Sequence, residues 1–181
     1  GETLLHNPAR EPEIDDLIGF LCAAGASIRQ LENGSICIRG VERLGPVEYS
    51  VLPDRIAAAT YLCCAAITGG EITLRKVVPG HLMAVFPVFE EMGCTIRIND
   101  EIIYLKAIDR PGPVRAVRTM PYPGFPTDAQ SPMMAVSCVA SGTSVYVENI
   151  FESRYKHVDE LLRMGASIKV EGRVAVVDGV A

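Results

Sequence analysis

The 181-residue sequence has no tryptophan, no apolar run long enough to cross a bilayer and no excess of basic residues. Its longest apolar run, AAATYLCCAAI, is interrupted by Thr60 and stops well short of the roughly 18 residues that a membrane span needs. A net charge of -5 argues against general binding of nucleic acid phosphates. The N-terminus also lacks the basic patch and apolar stretch of a signal peptide. We therefore expect a cytoplasmic protein whose partners are small molecules or proteins.

Two common chemical motifs are absent as well. The six cysteines have no CxxC spacing and mostly stand among apolar residues, which indicates reduced thiols in the core rather than a metal or redox site. No GxxxxGK[ST] or GxGxxG pattern follows a strand pattern, so Gly69 and Gly70 indicate the end of a helix and not a phosphate loop.

What the sequence does contain is a repeated unit. The pattern Gly-small-small-Ile recurs in AAGASI, EMGCTI and RMGASI, at residues 23–28, 91–96 and 163–168. An amphipathic helical pattern precedes each copy, and glycine stands where a left-handed helix cap is wanted. A β-hairpin pattern follows each copy, with Asn-Gly, Asn-Asp or Glu-Gly at its turn.

A second block precedes the later two copies. It consists of a proline-containing loop, an apolar helix that ends in glycine, and a strand, in LPDRIAAATYLCCAAITGGEITLRKV and FPTDAQSPMMAVSCVASGTSVYVENI. The full unit then reads strand, helix, strand, helix, strand, strand over about 70 residues. The helix at 54–68 is apolar almost all round, which predicts an interior helix with sheets outside it. Pro87 should kink or delay the helix in which it stands.

The first copy lacks its opening half. Since a parallel βαβ element cannot satisfy its edge alone, we expect the chain to be an internal fragment of a longer protein.

The stretch PYPGFPTDAQ, residues 121 to 130, presents a single carboxylate, Asp128, after three prolines. Proline fixes φ and restricts the residue before it, so the prolines alone are expected to hold this loop. A carboxylate held in this way can act as a general base. Thr-Asp before an apolar run is equally an ordinary helix N-cap. Ser131 as cap, with Pro132 as the first helical residue, could instead delay the start of the helix.

These segments resemble the enolpyruvyl transferases, and among them those that act on UDP-N-acetylglucosamine. The resemblance rests on AREPEIDDLIGFL, VLPDRIAAATYL, PYPGFPTDAQ and ENIFESRYKHVDELLRMGA, and it runs from end to end. It implies an inside-out α/β barrel of repeated βαβαββ units with buried central helices. Residues 1–46 would end the last repeat of a first domain, and 47–115 and 116–181 would be the first two repeats of a second domain.

The resemblance also implies a reaction and a set of site residues. The enolpyruvyl group of phosphoenolpyruvate would pass to the 3-hydroxyl of UDP-N-acetylglucosamine, the first committed step of peptidoglycan synthesis, without a metal or an organic cofactor. Asp128 matches the proposed general base of the family, whereas Ile150, Phe151 and Arg154 match residues near the substrate. Arg154 could instead form a plain ion pair with Glu152 or Asp159. The reactive cysteine loop and most phosphoenolpyruvate-binding cations would lie elsewhere, so we expect the fragment alone to be inactive.

Four positions, Ala57, Ala129, Pro132 and Ser153, depart from the residues usual in that family. They leave open a diverged, non-catalytic paralogue that binds a sugar nucleotide or regulates another protein. They also leave open a related enolpyruvyl transferase that uses another acceptor.

Overall fold

The computed structural model describes residues 1 to 180, and Ala181 lies outside the described residues. The chain folds as two compact units, residues 1 to 52 and the residues from Pro53 onward. Together they form a mixed α/β protein, as the sequence predicts.

The first unit is a small antiparallel sheet with one helix. Strands β1 (Glu2–Leu5), β2 (Ser27–Gln30) and β3 (Ile36–Arg39) lie in the order β1-β3-β2, and helix α1 (Pro12–Ala23) packs beside β2. Residues 40–52 form no strand in the described structure, although the repeat pattern predicts one ahead of the next helix. This stretch instead lies against α1, where the Tyr49 hydroxyl donates to Asp16 Oδ1 at 3.0 Å.

The second unit contains two sheets. Strands β4 (Glu71–Arg75), β5 (Thr95–Asn99) and β6 (Ile102–Lys106) form an antiparallel sheet in the order β4-β6-β5. The other sheet has the order β7-β8-β10-β9, from β7 (Val117–Arg118), β8 (Thr143–Val147), β9 (Ser167–Glu171) and β10 (Val174–Asp178). Within it, β7 pairs parallel with β8, and the remaining pairs are antiparallel.

Four helices complete this unit: α2 (Arg55–Ile67), α3 (Phe86–Glu91), α4 (Gln130–Cys138) and α5 (Val158–Arg163). Helices α2 and α4 pack against each other, α2 lies on the β4-β6-β5 sheet, and α4 lies on the other sheet. Leu62, Met133 and Met134 are fully buried between them. The predicted arrangement of central helices with sheets outside is therefore present in this unit.

One side of α2 departs from the prediction of a helix covered almost all round. Ala57, Tyr61, Cys64 and Ile67 recur at helical spacing and are exposed in the described unit, Tyr61 by 59%. The neighbouring sheet and α4 cover only the opposite side of the helix, and the apolar stripe remains open because the described elements provide nothing to pack on it.

The local predictions for caps and turns are confirmed. Gly25, Gly93 and Gly165 adopt the left-handed conformation after α1, α3 and α5, with φ of 103°, 92° and 97°. The three hairpin turns also carry a residue with positive φ, in order Gly34, Asp100 and Gly172. Pro87 delays its helix, which begins only at Phe86.

All six cysteines are reduced, and four of them are buried: Cys37, Cys63, Cys94 and Cys138. Burial raises the pKa of Cys94 to about 11, so that thiol stays protonated at neutral pH. Cys64 differs because it lies on the open side of α2. Among the described residues, none of the helices has both the length and the hydrophobicity that a bilayer crossing requires.

We predict that Leu62→Ala lowers the free energy of unfolding by about 2–5 kcal/mol, because Leu62 is fully buried between α2 and its neighbours. Leu162→Ala is the matched control, since Leu162 on α5 is 42% exposed, and it should cost about 0.5 kcal/mol or less. Urea denaturation of both variants measures the difference. Equal losses would contradict the placement of the core.

Candidate functional site

The candidate site lies where two loops leave neighbouring strands. The parallel pairing of β7 and β8 puts the C-terminal ends of both strands at one edge of the sheet, with Arg118 opposite Val147. The loop that follows β7 runs from residue 119 to 129, just before α4 begins, and the loop that follows β8 runs from 148 to 153 and leads to Arg154. The two segments singled out in the sequence are therefore neighbours in space.

The first loop is folded tightly on itself. The amide of Met120 donates to the carbonyl of Phe125 at 3.0 Å, and the amide of Gly124 donates to that of Pro121 at 2.8 Å. A Cβ atom on Gly124 would lie 2.4 Å from Cβ of Met120, so only glycine allows this close approach. Phe125 is buried and anchors the turn in the core.

The tip of this loop is also held by α2. The guanidinium of Arg55, at the start of α2, lies 5.6 Å from the centroid of the Tyr122 ring. The His81 ring meets the same tyrosine edge to face at 6.4 Å. The Tyr122–Pro123 peptide bond is cis.

Asp128 projects from the end of this loop toward solvent. It lies in a 3₁₀ turn, Thr127–Ala129, that leads directly into α4, and its side chain is 58% exposed. The prediction of an N-cap is wrong, because Ala129 occupies that position and no side chain caps α4. The later helix start at Pro132 is also wrong: α4 begins at Gln130, and a proline is tolerated in the first turn because its missing N–H has no partner there.

Arg154 is the partner of Asp128. Its Nη2 forms an ion pair and a hydrogen bond with Asp128 Oδ1, so the alternative prediction of an ion pair is confirmed, and only its suggested partners, Glu152 and Asp159, are wrong. The same guanidinium lies 5.5 Å from the centroid of the Phe151 ring, which is 49% exposed. The structure thus brings Asp128, Phe151 and Arg154 together at the surface, with Ile150 half-buried beside them.

Glu148, which the sequence reasoning missed, lies beneath this surface. It is only 1% exposed, and its carboxylate accepts five hydrogen bonds of 2.8 to 3.0 Å. Oε1 accepts from the Thr119 hydroxyl and from the amides of Ile150 and Phe151. Oε2 accepts from the Thr127 hydroxyl and from Gln130 Nε2. The prolines therefore do not hold the Asp128 loop alone, because Glu148 supports it from below.

The protonation state of Glu148 follows from these contacts. Burial by itself raises the pKa of the carboxyl, but the amides of Phe151 and Ile150 and the two threonine hydroxyls stabilise the anion more strongly. The net effect lowers the pKa below its ordinary value of 4.5, so Glu148 is ionised at neutral pH. In the part of the chain that the structure describes, no three His, Cys, Asp or Glu side chains are grouped as metal ligands would be.

A signal for Glu148 was present in the sequence. In TSVYVEN, alternate residues point to one side of the strand, so Ser144, Tyr146 and Glu148 share a face. All three are buried. A carboxylate at the end of an inward-facing series requires donors, and this requirement could have identified the residue.

The second loop is held from its other side by the β9-β10 hairpin. The Arg173 side chain donates to the carbonyl of Asn149 at 3.1 Å, and the amide of Glu148 donates to the carbonyl of Arg173 at 2.8 Å. The Tyr155 hydroxyl donates to the carbonyls of Tyr146 and Arg173. Burial, with the nearby Glu148 charge, raises the pKa of Tyr155 to about 12, so this hydroxyl keeps its proton.

We predict that Glu148→Gln lowers the free energy of unfolding by about 1–3 kcal/mol at neutral pH, because it removes a buried anion from charge-assisted hydrogen bonds. The folded-state pKa of Glu148 is depressed, so its contribution is complete above pH 4.5 and is lost as the pH falls through the folded value. The difference between wild type and variant should therefore shrink in acid. Urea unfolding at neutral pH and below pH 4.5 tests this, and a gap that does not change with pH would contradict it.

Comparison with known proteins covers the entire chain. Residues 1–181 match the family of EPSP synthase (3-phosphoshikimate 1-carboxyvinyltransferase). The UDP-N-acetylglucosamine 1-carboxyvinyltransferase 1 of Symbiobacterium thermophilum is 53% identical over 99% of this chain and 41% of its own length. The UDP-N-acetylglucosamine 1-carboxyvinyltransferase 2 of Caldanaerobacter subterraneus is 47% identical over 99% of this chain and 43% of its own length. The chain thus spans less than half of these relatives.

Solved structures agree with the sequence comparison. The enolpyruvyl transferase NikO from Streptomyces tendae superposes with a TM-score of 0.80 at 26% identity, over 99% of this chain and 43% of that protein. EPSP synthase from Acinetobacter baumannii has the same fold, with a TM-score of 0.63 at 19% identity over 99% of this chain and 43% of its own. Because the family matches the chain over its full length and these relatives are similar to it, the chain belongs to the EPSP synthase family of enolpyruvyl transferases.

Proposed function

We propose that this chain is part of an enzyme that transfers the enolpyruvyl group of phosphoenolpyruvate to the 3-hydroxyl of UDP-N-acetylglucosamine, the first committed step of peptidoglycan synthesis. Relatives named UDP-N-acetylglucosamine 1-carboxyvinyltransferase, at 47% and 53% identity, support this proposal. The observation that carries it is the solvent-facing carboxylate of Asp128, which lies against Arg154 on a tightly held loop.

Asp128 is the general base of the proposed reaction. A neutral sugar hydroxyl is a weak nucleophile, so its proton must leave as the oxygen bonds to C2 of phosphoenolpyruvate. The Asp128 carboxylate takes that proton. As that bond forms, the C2–C3 double bond opens and C3 gains a proton, which gives a tetrahedral intermediate. Loss of a proton from C3, with cleavage of the C2–O bond to phosphate, then restores the double bond and yields the enolpyruvyl ether and inorganic phosphate. The chemistry requires neither a metal nor an organic cofactor.

The other three site residues bind substrate. Arg154 presents a planar guanidinium that can form two parallel bonds to an oxyanion, and we assign it to the sugar nucleotide. The amides of Ile150 and Phe151 already donate to Glu148. These two residues can therefore offer a substrate their carbonyl oxygens and the exposed Phe151 ring.

The proposed enzyme requires further chain. We assign residues 1–46 to the end of the last repeat of one domain, and 47–115 and 116–181 to two repeats of a second domain. A third repeat would close the inside-out barrel and cover the open stripe of α2, where Tyr61 and Ile67 are exposed. A charged sugar nucleotide and phosphoenolpyruvate are made inside the cell, so we place the enzyme in the cytoplasm.

In the full-length protein, we predict that Asp128→Asn lowers kcat by about 10²–10⁴-fold, because the amide cannot accept the hydroxyl proton. Affinity for UDP-N-acetylglucosamine, measured by calorimetry, should change far less than turnover, which is followed by phosphate release. The matched control is Asp100→Asn in the β5–β6 turn, where asparagine also accepts the positive φ of 48°. Its turnover should equal that of the wild type. Wild-type turnover in the Asp128→Asn enzyme would contradict the assignment of Asp128 as the general base.

We also predict that the 181-residue chain alone releases no phosphate from phosphoenolpyruvate and UDP-N-acetylglucosamine. The cationic groups that would stabilise charge on the phosphate are expected in other repeats. A coupled phosphate assay on the isolated chain, with the full-length protein as positive control, measures this. Turnover by the isolated chain would contradict the assignment of those groups.

A further inference from the structure

The buried carboxylate of Glu148 joins the two loops that carry the candidate site. We propose that Glu148 is a positioning residue, which holds Asp128 and Arg154 in the geometry that the reaction needs without touching the substrate itself. This inference rests on the proposed function and concerns how the same site is assembled.

Four of the five groups that donate to Glu148 belong to a site residue or lie within two residues of one. Thr127, which donates to Oε2, immediately precedes Asp128, and Gln130, the other donor to Oε2, follows it by two residues. On the other side, Oε1 accepts from the amides of Ile150 and Phe151, in the loop that leads to Arg154. One oxygen therefore holds the base, and the other holds the substrate-binding loop.

The third donor to Oε1 adds a cross-link between the loops. The Thr119 hydroxyl donates to Glu148 at 2.9 Å and accepts from the amide of Asn149 at 2.8 Å. The side-chain amide of Asn149 in turn donates to the carbonyl of Thr119 at 3.2 Å. The starts of the two loops are thus bonded to each other and to the same carboxylate.

The surface ion pair between Asp128 and Arg154 joins the same loops but cannot take over this task. Their side chains are 58% and 35% exposed, and exposed pairs contribute little to stability. A substrate hydroxyl that reaches Asp128 must also alter this contact. The buried bonds to Glu148 can persist when that happens, so the loops keep their spacing while the surface pair rearranges.

Glu148 is itself attached to a rigid element. It directly follows β8, and its amide donates to the carbonyl of Arg173 at 2.8 Å, which continues the pairing of β8 with β10. Loop groups are placed most accurately when a sheet or helix holds the residue that supports them. The sheet therefore fixes the position of Asp128, because it holds Glu148, which in turn holds Thr127 next to Asp128.

The test cuts the bond between Thr127 and Glu148 in the full-length enzyme. Thr127→Val removes the hydroxyl at nearly constant shape, and Thr127→Ser restores it. The control, Thr143→Val, removes a threonine bond of 2.6 Å to the Asp178 carboxylate at the other end of β8. We expect Thr127→Val to lower kcat by about 10-fold or more, whereas Thr127→Ser and Thr143→Val stay near wild type.

A double-mutant cycle separates positioning from general destabilisation. If Thr127 acts through Asp128, Thr127→Val should lower kcat in the wild-type background but have little further effect on the residual turnover of Asp128→Asn. Equal fold losses in both backgrounds, or a loss in Thr127→Val no larger than in Thr143→Val, would overturn the inference.

Hydrogen exchange tests the same inference without turnover. The amides of Ala129 and Gln130 donate to the carbonyls of Pro126 and Thr127, and their exchange should be several-fold faster in Thr127→Val than in Thr127→Ser. Unchanged exchange overturns the positioning role. If the wild-type enzyme releases no phosphate, the proposed function is wrong. The exchange result would still decide whether Glu148 holds the loop.

Discussion

A buried carboxylate that is surrounded by neutral donors governs the described part of this site. Transfer of an ionised side chain out of water costs several kcal/mol unless hydrogen bonds replace its hydration. Glu148 meets that requirement with five donors from the two loops and the first residue of α4. If either loop moves away, its bonds to the carboxylate break and part of the buried anion is left unsatisfied. The hydrogen bonds that the buried charge requires thus hold Asp128 and Arg154 at a defined spacing.

The sheet explains why these loops meet at all. Strands β7 and β8 are parallel, so both chains leave the sheet at the same edge, although about 30 residues separate Thr119 from Glu148 along the chain. Helix α4 lies between the strands in sequence and packs on this sheet, which sets Gln130 within reach of Glu148. The conformation of the first loop then turns Asp128 outward, because Phe125 is buried and Gly124 permits the tight turn.

The same architecture leaves other surfaces open. Helix α2 is buried by its sheet and by α4 on one side, yet its opposite side exposes an apolar stripe that includes Tyr61 and Ile67. The relatives that the chain matches are more than twice as long. A repeat that supplied one more helix and sheet would give this stripe the same kind of cover that α4 gives the other side.

The sequence by itself determined the features that depend on a few neighbouring residues. The repeated unit, the three hairpins, the glycine caps and the delayed helix at Pro87 follow from hydrophobic period and turn chemistry, which are local properties. Resemblance to a family added Asp128, Ile150, Phe151 and Arg154 as candidates. Only the tertiary structure decided the partner of Arg154, the start of α4 at Gln130 and the role of Glu148. Those depend on contacts between residues far apart in the chain, and packing, which no local pattern encodes, selects them.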